Sequence, residues 1–377
     1  MATVTKPILL DSTGQEILVA LRDIRAAIVS GKVPQATTWR EVQANVRNGL
    51  GEILYPVGTK FVVYKHANGA TKSGTPVKYY LDAVGHNKHF LVRHGEKTAD
   101  HSMTLQFHEL LNDSMQFDAA ENQYGISLDT SVVPWKTYYS DTSGTVVTDP
   151  TGNPHTNNYY EKNDANEHRK SYGSNNWRHS AIRKWLNADK GVAAGSWWAA
   201  STPFDKTPDY SSGLPFQALL ADDTDGTDAS LLDVVGPVTI RTILNTIKNP
   251  DNSDYYLDAD ASGQYAVASR LSYDVTEDTF FLPTTKEIHC STYNEEGGVL
   301  LQYFDKFSDY ASPISAWGSA DTNLLKHKQN ASSAANWWLR SAGTGYAHAA
   351  MFVRSGGAVS DDNACYSYGV APLCVIY

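Results

Sequence analysis

The sequence predicts an α+β fold, with a small N-terminal helical anchor over residues 1–54 and one β-rich domain over residues 55–377. Apolar residues recur at helical spacing between residues 14 and 50, and beyond residue 61 they form short runs separated by turn residues. A chain of 377 residues is long enough for roughly one to three domains. Because it has no internal repeat and no low-complexity linker, we expect a single elaborated domain after the anchor.

The first predicted helix covers residues 14–30. Its apolar residues lie four, three and four positions apart, which places them on one helix face: Ile17, Leu21, Ile24 and Ile28. Such a face either packs against the rest of the same chain or joins copies of the chain. The repeat is too short to separate these two interpretations.

A second helix is predicted to begin at Thr38. Thr38 and Glu41 have the spacing of a capping box, in which the threonine hydroxyl accepts from the start of the helix and the glutamate reaches back to Thr38. The residues that follow form one apolar stripe: Trp39, Val42, Val46 and Leu50. A glycine at position 49 or 51 is expected to end the helix.

The β-rich domain begins with short apolar runs. They predict strands over residues 61–64, 77–84 and 90–93, followed by a short amphipathic helix around residues 103–111. Residues 138–176 are rich in Asn, Thr, Tyr and Gly without clear periodicity, so they are predicted to form long loops.

A further helix is predicted over residues 174–187, with Trp177, Ile182 and Trp185 facing inward. It is followed by a tandem tryptophan within residues 196–198 and by a loop rich in Pro and Asp.

Three weaker signals follow the helix. Residues 231–248 combine a strand with a short helix, and residues 265–273 are another strand candidate. Thr284 or Thr285 is expected to cap a helix after the apolar run that precedes it.

The charge of the chain limits its partners. Asp and Glu number 41 against 31 Lys and Arg, giving a formal net charge of −10. Nucleic acids and anionic membranes bind basic faces, so this balance argues against both. No run approaches the roughly 18 apolar residues of a membrane helix, so we expect no membrane insertion. The N-terminus lacks the apolar core of a signal peptide, which indicates synthesis in a cytoplasm.

Two acidic segments resemble parts of a calcium loop. Oxygen-bearing residues alternate from Asp258 through Asp260 to Ser262, but the twelfth position is Ser269 and not glutamate. The second segment, residues 222–228, does not fit the loop spacing. Each is either a calcium site or an acidic surface turn, and the sequence does not decide between them near Asp258 and Asp260. We assign no cofactor.

Other chemistry has little support in the sequence. Five histidines lack the paired spacing of a transition-metal site: His86, His89, His94, His101 and His108. The motifs of a serine nucleophile elbow, a zinc protease and a phosphate-binding loop are all absent. The sequence therefore predicts a protein that is not an enzyme.

The C-terminal part has an unusual composition. It opens with Asn-Trp-Trp-Leu-Arg-Ser at 336–341 and closes with an apolar strand at 370–377. Between them, residues 343–368 predict two short strands around the Ser-Gly-Gly-Ala turn at 355–358, followed by a tyrosine-bearing polar loop. Such a segment is either a binding surface or an ordinary loop between core strands.

These C-terminal features resemble the end of a C-type-lectin fold, as do residues 174–198 and 279–287. More narrowly, they are similar to the variable proteins of diversity-generating retroelements, which are related in fold to the formylglycine-generating enzyme. The resemblance spans roughly residues 55–377 and implies a C-type-lectin fold with long loop insertions. It also implies that residues 343–368 form the variable region.

The resemblance explains one feature of the variable region. In such proteins a template-copying step mutates adenines, mostly in AAC or AAT codons, and the mutated codons cannot encode Trp, Lys, Gln, Glu or Met. Residues 343–368 contain none of these except Met351, whereas the rest of the chain uses Lys, Gln, Glu and Trp freely.

The resemblance implies a receptor-binding protein of a phage tail, located in the virion, with a bacterial cell surface as the alternative. Its ligand would be a host-surface protein or glycan, and family analogy favours a homotrimer. Strand alternation predicts that Phe352 and Arg354 face outward, opposite to Met351 and Val353. The ligand-binding residues are expected to be Tyr346, His348, Phe352, Arg354, Ser360, Asp361, Asp362, Asn363, Cys365, Tyr366 and Tyr368.

Two alternatives stay open. One is a lectin or adhesin domain of fixed specificity, although the tripeptides of calcium-dependent sugar lectins are absent. The other is an enzyme related to the formylglycine-generating oxidase, whose chemistry uses two closely placed cysteines. Cys365 and Cys374 are both near the C-terminus, but neither lies in a matching motif.

Overall fold

The structure of the chain is a computed structural model. It describes residues 38–120, 125–129, 135–140, 146–147, 158–159, 172–200, 205–243, 246–248, 254–256, 273–290, 299–305, 322–343 and 348–377. The predicted helix at 14–30, the acidic segment at 258–263 and most of the strand candidate at 265–273 lie outside these ranges. Within the described ranges, no helix is long and apolar enough to cross a membrane.

The described residues form a mixed α/β structure in which strands predominate. The α-helices are short: α1 Trp39–Arg47, α2 Gly51–Leu54, α3 Ala181–Asn187 and α4 Gln302–Asp305. The strands are β1 Lys60–Lys65, β2 Val77–His86, β3 Val92–Arg93, β4 Glu96–Lys97, β5 Met103–Phe107, β6 Met115–Gln116, β7 Gly125–Asp129, β8 Trp135–Ser140, β9 Val146–Val147, β10 Asn158–Tyr159, β11 Leu220–Ala221, β12 Val238–Ile243, β13 Thr246–Lys248, β14 Asp254–Tyr256, β15 Tyr273–Asp278, β16 Phe280–Phe281, β17 Trp337–Ala342, β18 Ala349–Val353, β19 Val359–Asn363, β20 Ser367–Tyr368 and β21 Leu373–Ile376.

The main sheet has six strands in the order β11-β1-β2-β5-β21-β16, and neighbouring strands are antiparallel. The C-terminal strand β21 therefore lies inside the sheet, between β5 and β16. Its four side chains are buried, as the apolar run at 370–377 predicts. This placement fixes the end of the chain in the core.

The predicted helix around residues 103–111 is wrong. Residues Met103–Phe107 form strand β5, which lies between β2 and β21 in the main sheet. All five of its side chains are buried. A strand that is covered on both faces lacks the alternation of polar and apolar residues that identifies a half-exposed strand. A short apolar run of this kind cannot be distinguished from a buried helix by periodicity.

The capping box at the start of α1 is confirmed. Thr38 Oγ1 accepts from the amide of Glu41 at 3.2 Å, and the Glu41 carboxylate accepts from the amide of Thr38 at 3.1 Å. The helix is also attached to the end of the chain, because Gln43 Nε2 and Arg47 Nε both donate to the carbonyl of Tyr377 at 3.0 Å. The first described helix thus packs with the β-rich domain.

Helix α3 begins later than predicted, at Ala181 with Ser180 as its N-cap. Its buried residues include Ile182 and Trp185, and Trp177 is buried in the turns before it. Asn187 joins the helix to the main sheet: its Oδ1 accepts from the amides of residues 279 and 280, and its Nδ2 donates to the carbonyl of Phe280 at 2.8 Å.

The predictions for residues 90–93, 231–248 and 284–289 are partly confirmed. The strand predicted at 90–93 is reduced to residues 92–93, and the segment 231–248 has its short 3₁₀-helix, Ser230–Asp233, before the strands. Residues 285–289 form a turn and not a helix, although Thr284 and Glu287 make the reciprocal hydrogen bonds of a capping box.

A buried ion pair connects this turn to β17. The guanidinium of Arg340 contacts both carboxylate oxygens of Glu287, at 2.6 and 2.8 Å, and both side chains are fully buried. His89 Nε2 lies 3.0 Å from the same carboxylate, and its Nδ1 lies 3.0 Å from Thr104 Oγ1 on β5. Burial raises the pKa of Glu287, but the charge of Arg340 and the contact with His89 outweigh it and lower the pKa to about 2.

Acid is expected to weaken the fold through Glu287. Because its folded pKa of about 2 lies below its ordinary value of 4.5, the ionised carboxylate stabilises the protein above pH 4.5. This stability is lost as the pH falls toward 2, and it amounts to about 3 kcal/mol. Chemical denaturation at a series of pH values measures it as the difference between the wild type and Glu287→Gln. Equal pH slopes for the two proteins would contradict the prediction.

Candidate ligand-binding surface

The C-terminal sheet, β17-β18-β19, provides the base of the predicted binding segment. Trp337, Trp338 and Leu339 are fully buried on β17, as predicted. The Trp338 ring packs on Phe117 at a centroid distance of 5.8 Å, and its Nε1 donates to the carbonyl of Met115 at 2.9 Å. The base of the segment is therefore part of the core.

The predicted hairpin is confirmed. Val353 pairs with Val359, and the amide of Arg354 donates to the carbonyl of Ala358 at 2.7 Å. Gly357 closes the turn with φ of +87°, a conformation that side chains disfavour. The exposed Arg354 donates from Nη2 to Ser360 Oγ at 3.1 Å, which holds its guanidinium over the start of β19.

Beyond the hairpin, the chain presents polar and aromatic side chains to solvent. Asp361, Asp362 and Asn363 on β19 are half-buried, and Tyr366 in the following loop is 45% exposed. Together with the exposed Arg354 they form what we call the C-terminal surface, which wraps around β19 because Asp361 and Asn363 alternate in direction with Asp362. Each of its five members is among the residues predicted from the sequence.

Negative charge dominates the C-terminal surface. Burial raises the pKa of Asp361, and the neighbouring carboxylate of Asp362 raises it further. Tyr368 Oη donates to Asp362 at 2.5 Å, and burial followed by this contact raises the pKa of Tyr368. Arg354 supplies the opposing positive charge, so the surface carries two carboxylates against one guanidinium.

The expected outward direction of Phe352 is wrong. Phe352 is 3% exposed and packs on Trp338 and Tyr368, at centroid distances of 6.0 and 4.8 Å. The alternation along β18 is as predicted, but β20 pairs with β6 and brings Tyr368 over the face that was expected to be open. Both faces of β18 are consequently buried.

Two more predicted residues are buried: His348 is 7% exposed and Ser360 is 4% exposed. Ser360 lies opposite Phe352 in the β18–β19 pair, so the same cover hides both. Tyr368 is itself half-buried because it packs on this face, and the centre of its ring lies 4.6 Å from that of Trp338. Tyr346 lies outside the described residues.

Cys365 is half-buried at the edge of the C-terminal surface. Its amide donates to the carbonyl of Tyr172 at 2.8 Å, and its carbonyl accepts from Gln116 Nε2 at 3.0 Å. Gln116 Oε1 accepts in turn from the amide of the exposed Asp209 at 3.1 Å. Gln116 and Asp209 could not be predicted as neighbours of this surface, because both are remote from residues 343–368 in the sequence.

The described residues contain no group of three His, Cys, Asp or Glu side chains that could hold a metal ion. Carboxylates of the acidic segment at 222–228 are engaged locally: Asp222 accepts from Ser230, and Asp228 pairs with Lys72 and Lys190. The segment therefore forms an acidic surface turn in this structure. The other calcium candidate, at Asp258 and Asp260, lies outside the described ranges.

The fold and the C-terminal surface define an α/β protein that carries a polar, acidic surface on a buried sheet. The chain belongs to the DUF6273 family, described as a domain of unknown function, whose model matches residues 155–377. This range includes α3 and the whole C-terminal sheet. No curated protein and no solved structure matches the chain.

Proposed function

We propose that this chain is a non-catalytic receptor-binding protein of the diversified type, with a C-type-lectin fold, acting as part of a phage tail. Its C-terminal surface would contact a host-surface protein or glycan. The observation that carries the proposal is the arrangement of Arg354, Asp361, Asp362, Asn363 and Tyr366 on a buried, hydrogen-bonded sheet.

Rigidity of the base is the physical argument. A binding segment that is ordered before contact loses little conformational entropy when the ligand binds. Tyrosine adds a large, stiff contact area with a polar tip, while Asn and Asp supply hydrogen bonds. Because the supporting residues are buried, the exposed side chains could change without repacking the core.

The charge of the C-terminal surface favours certain ligands. Two carboxylates against one guanidinium attract hydrogen-bond donors and basic groups. For this sequence variant we therefore expect ligands with amine, guanidinium or hydroxyl donors, and weaker binding at high salt because exposed charges are screened.

The nucleotide sequence around the 3′ end of the gene tests the diversified type. We expect an imperfect repeat of the segment encoding residues 343–368 that differs at adenines, with a reverse transcriptase gene nearby. Among relatives from the same source, differences should fall on Arg354, Asp361, Asp362, Asn363 and Tyr366 and spare the buried Met351, Val353, Val359 and Ala364. Differences spread evenly over both sets would favour a lectin or adhesin of fixed specificity.

Tyr366→Ala is expected to lower binding at least tenfold, because it removes the largest exposed side chain of the C-terminal surface. The readout is adsorption to a panel of bacterial cells and to a glycan array, with Tyr64→Ala on β1 as a matched control outside the surface. The melting temperature should change by no more than a few degrees. Tyr368 is unsuitable for this test, since its ring packs on Trp338.

Unchanged binding of Tyr366→Ala to every cell or glycan that the wild type recognises would contradict the proposed surface. Loss of binding by Tyr64→Ala as well would place the contact elsewhere or indicate general damage.

The cysteines argue against the oxidase alternative. Burial raises the pKa of the Cys374 thiol within β21 and also that of the Cys365 thiol. The thiolate is the reactive form of cysteine, so a raised pKa makes both thiols poor nucleophiles at neutral pH. This environment is the opposite of the one that reactive cysteines need.

A further inference from the structure

A cleft of about 150 Å³ lies on the main sheet, and none of its lining residues belongs to the segment 343–368. Its floor is the end of β5 and the neighbouring residues of β2, and its walls are α4 and the segment 323–327. Backbone hydrogen bonds fix that segment. The amide of Leu110 donates to the carbonyl of His327 at 2.8 Å, and the amide of Ala335 donates to the carbonyl of Lys326 at 3.0 Å. The cleft is therefore preformed.

The charge of Asp82 in the cleft is already neutralised. Lys60 Nζ donates to its Oδ1 at 2.9 Å, and His108 Nδ1 lies 2.5 Å from its Oδ2. These contacts outweigh the effect of burial and lower the pKa of Asp82, so the carboxylate stays ionised. Since both of its oxygens are engaged, Asp82 orders the floor of the cleft and does not offer a free charge.

Two opposite charges in the cleft are not paired with each other. The ammonium of Lys326 donates to the carbonyls of residues 107 and 108, at 2.8 and 3.0 Å. Among the described residues, no carboxylate forms an ion pair with it. The carboxylate of Glu109 accepts from the amide of Tyr80 at 3.2 Å and forms no ion pair within the same ranges. Both groups are thus held by backbone contacts on different parts of the cleft lining.

The rest of the lining is mixed: Gln106, Asn323 and His327 are polar, and the apolar part is aromatic and aliphatic. Tyr303 and Phe304 come from α4, Leu324 comes from the segment 323–327, and Trp337 comes from β17. The Lys326 ammonium lies 5.7 Å from the centre of the Trp337 ring. A cavity of about 150 Å³ is large enough for a molecule of benzene's size.

Size and charge together select a class of ligand. The two ammonium groups of Lys60 and Lys326 balance the two carboxylates of Asp82 and Glu109, which favours a ligand with no net charge. Among the described residues neither Lys326 nor Glu109 forms an ion pair, so a ligand that carries both a carboxylate and an ammonium would complement the two side chains. We propose that the cleft binds a free α-amino acid with a small apolar side chain, its carboxylate on Lys326 and its ammonium on Glu109.

The protonation of Lys326 gives the site a measurable signature. Burial lowers the pKa of Lys326 to about 8, although the nearby carboxylates of Asp82 and Glu109 oppose this effect. A ligand carboxylate beside the ammonium would raise that pKa again. Binding near pH 8 should therefore take up protons from the buffer, and binding near pH 6 should not.

Valine and its two singly charged analogues test the proposal directly. Isothermal titration calorimetry on the full chain should show L-valine binding with Kd of about 1 mM or tighter. Isovalerate, which lacks the ammonium, and isobutylamine, which lacks the carboxylate, should each bind at least tenfold more weakly. Equal binding of isovalerate would make the cleft a simple anion site and overturn the proposal, as would undetectable binding of valine, alanine and proline.

Variants separate the cleft from the rest of the protein. Lys326→Met and Glu109→Gln should each weaken valine binding at least tenfold, and Lys326→Met should abolish the proton uptake near pH 8. Glu109→Gln keeps an acceptor for the Tyr80 amide, so it remains informative if Lys326→Met folds poorly. Lys328→Met is the matched control, because Lys328 lies two residues away and donates to Ser114 Oγ at the surface. Valine binding that survives Glu109→Gln would refute the assigned role of the carboxylate.

Discussion

Replacing Arg340 with methionine is expected to lower the free energy of unfolding by about 3–5 kcal/mol. The substitution leaves the Glu287 carboxylate fully buried with no guanidinium opposite it. The amide of Thr284 and the ring of His89 remain in contact with the carboxylate, but neither replaces the two hydrogen bonds of the guanidinium. Chemical denaturation at neutral pH measures the loss.

The double variant Arg340→Met/Glu287→Gln identifies the cause of that loss. If the penalty comes from an isolated buried charge, removing the charge as well should restore much of the stability, since buried ion pairs contribute little net free energy compared with neutral replacements. A double variant as unstable as Arg340→Met would show that the guanidinium acts mainly through packing on Phe281, 5.3 Å away, and through its contact with the Leu282 carbonyl.

This ion pair shows what the sequence could and could not predict. The sequence predicts a helix capped by Thr284 or Thr285; the structure has a turn there, in which Thr284 makes reciprocal contacts with Glu287. Such contacts join residues three positions apart in the chain, so they are local in the sequence. The partner Arg340 comes from a distant strand, and nothing in its surroundings in the sequence distinguishes it from an exposed arginine.

The strands show the same difference between features set by local sequence and features set by tertiary packing. The hairpin at 355–358 and the burial of Trp337 and Trp338 follow from local turn chemistry and apolar character, and both are confirmed. The identity of β5 and the direction of Phe352 depend on which elements cover each face. Which elements cover a face depends on tertiary packing, and the alternation of residues along a strand does not predict it.

The cleft was missed for a related reason. Asp82, Glu109 and Lys326 look like ordinary surface charges in the sequence, and they come from three separate segments. Only the packing of segment 323–327 against the end of β5 brings them together. In contrast, most of the C-terminal surface is continuous in the chain, so its composition could be read directly.

Trp338→Ala is expected to lower the free energy of unfolding by about 3–5 kcal/mol and to disorder the C-terminal surface at the same time. The indole is fully buried between Phe117, Phe352 and Tyr368, and its removal leaves a cavity beneath β19 and β20. It also leaves the carbonyl of Met115 without the Nε1 donor. Denaturation measures the stability, and amide hydrogen exchange at residues 361–369 measures the order of the surface.

Two further variants distinguish a specific loss of order in the C-terminal surface from general destabilisation of the protein. Trp198→Ala removes a half-buried indole that contacts Lys184, so its cost should be smaller and exchange at residues 361–369 should stay slow. Asn187→Ala breaks the contacts of α3 with residues 279 and 280 and should destabilise the protein without a selective effect on the surface. If Trp338→Ala speeds exchange at 361–369 no more than Asn187→Ala does, then the buried indole is not what holds the surface in place. A selective increase would mean that the order of the exposed residues is built into the core beneath them, as a surface that binds without prior rearrangement requires.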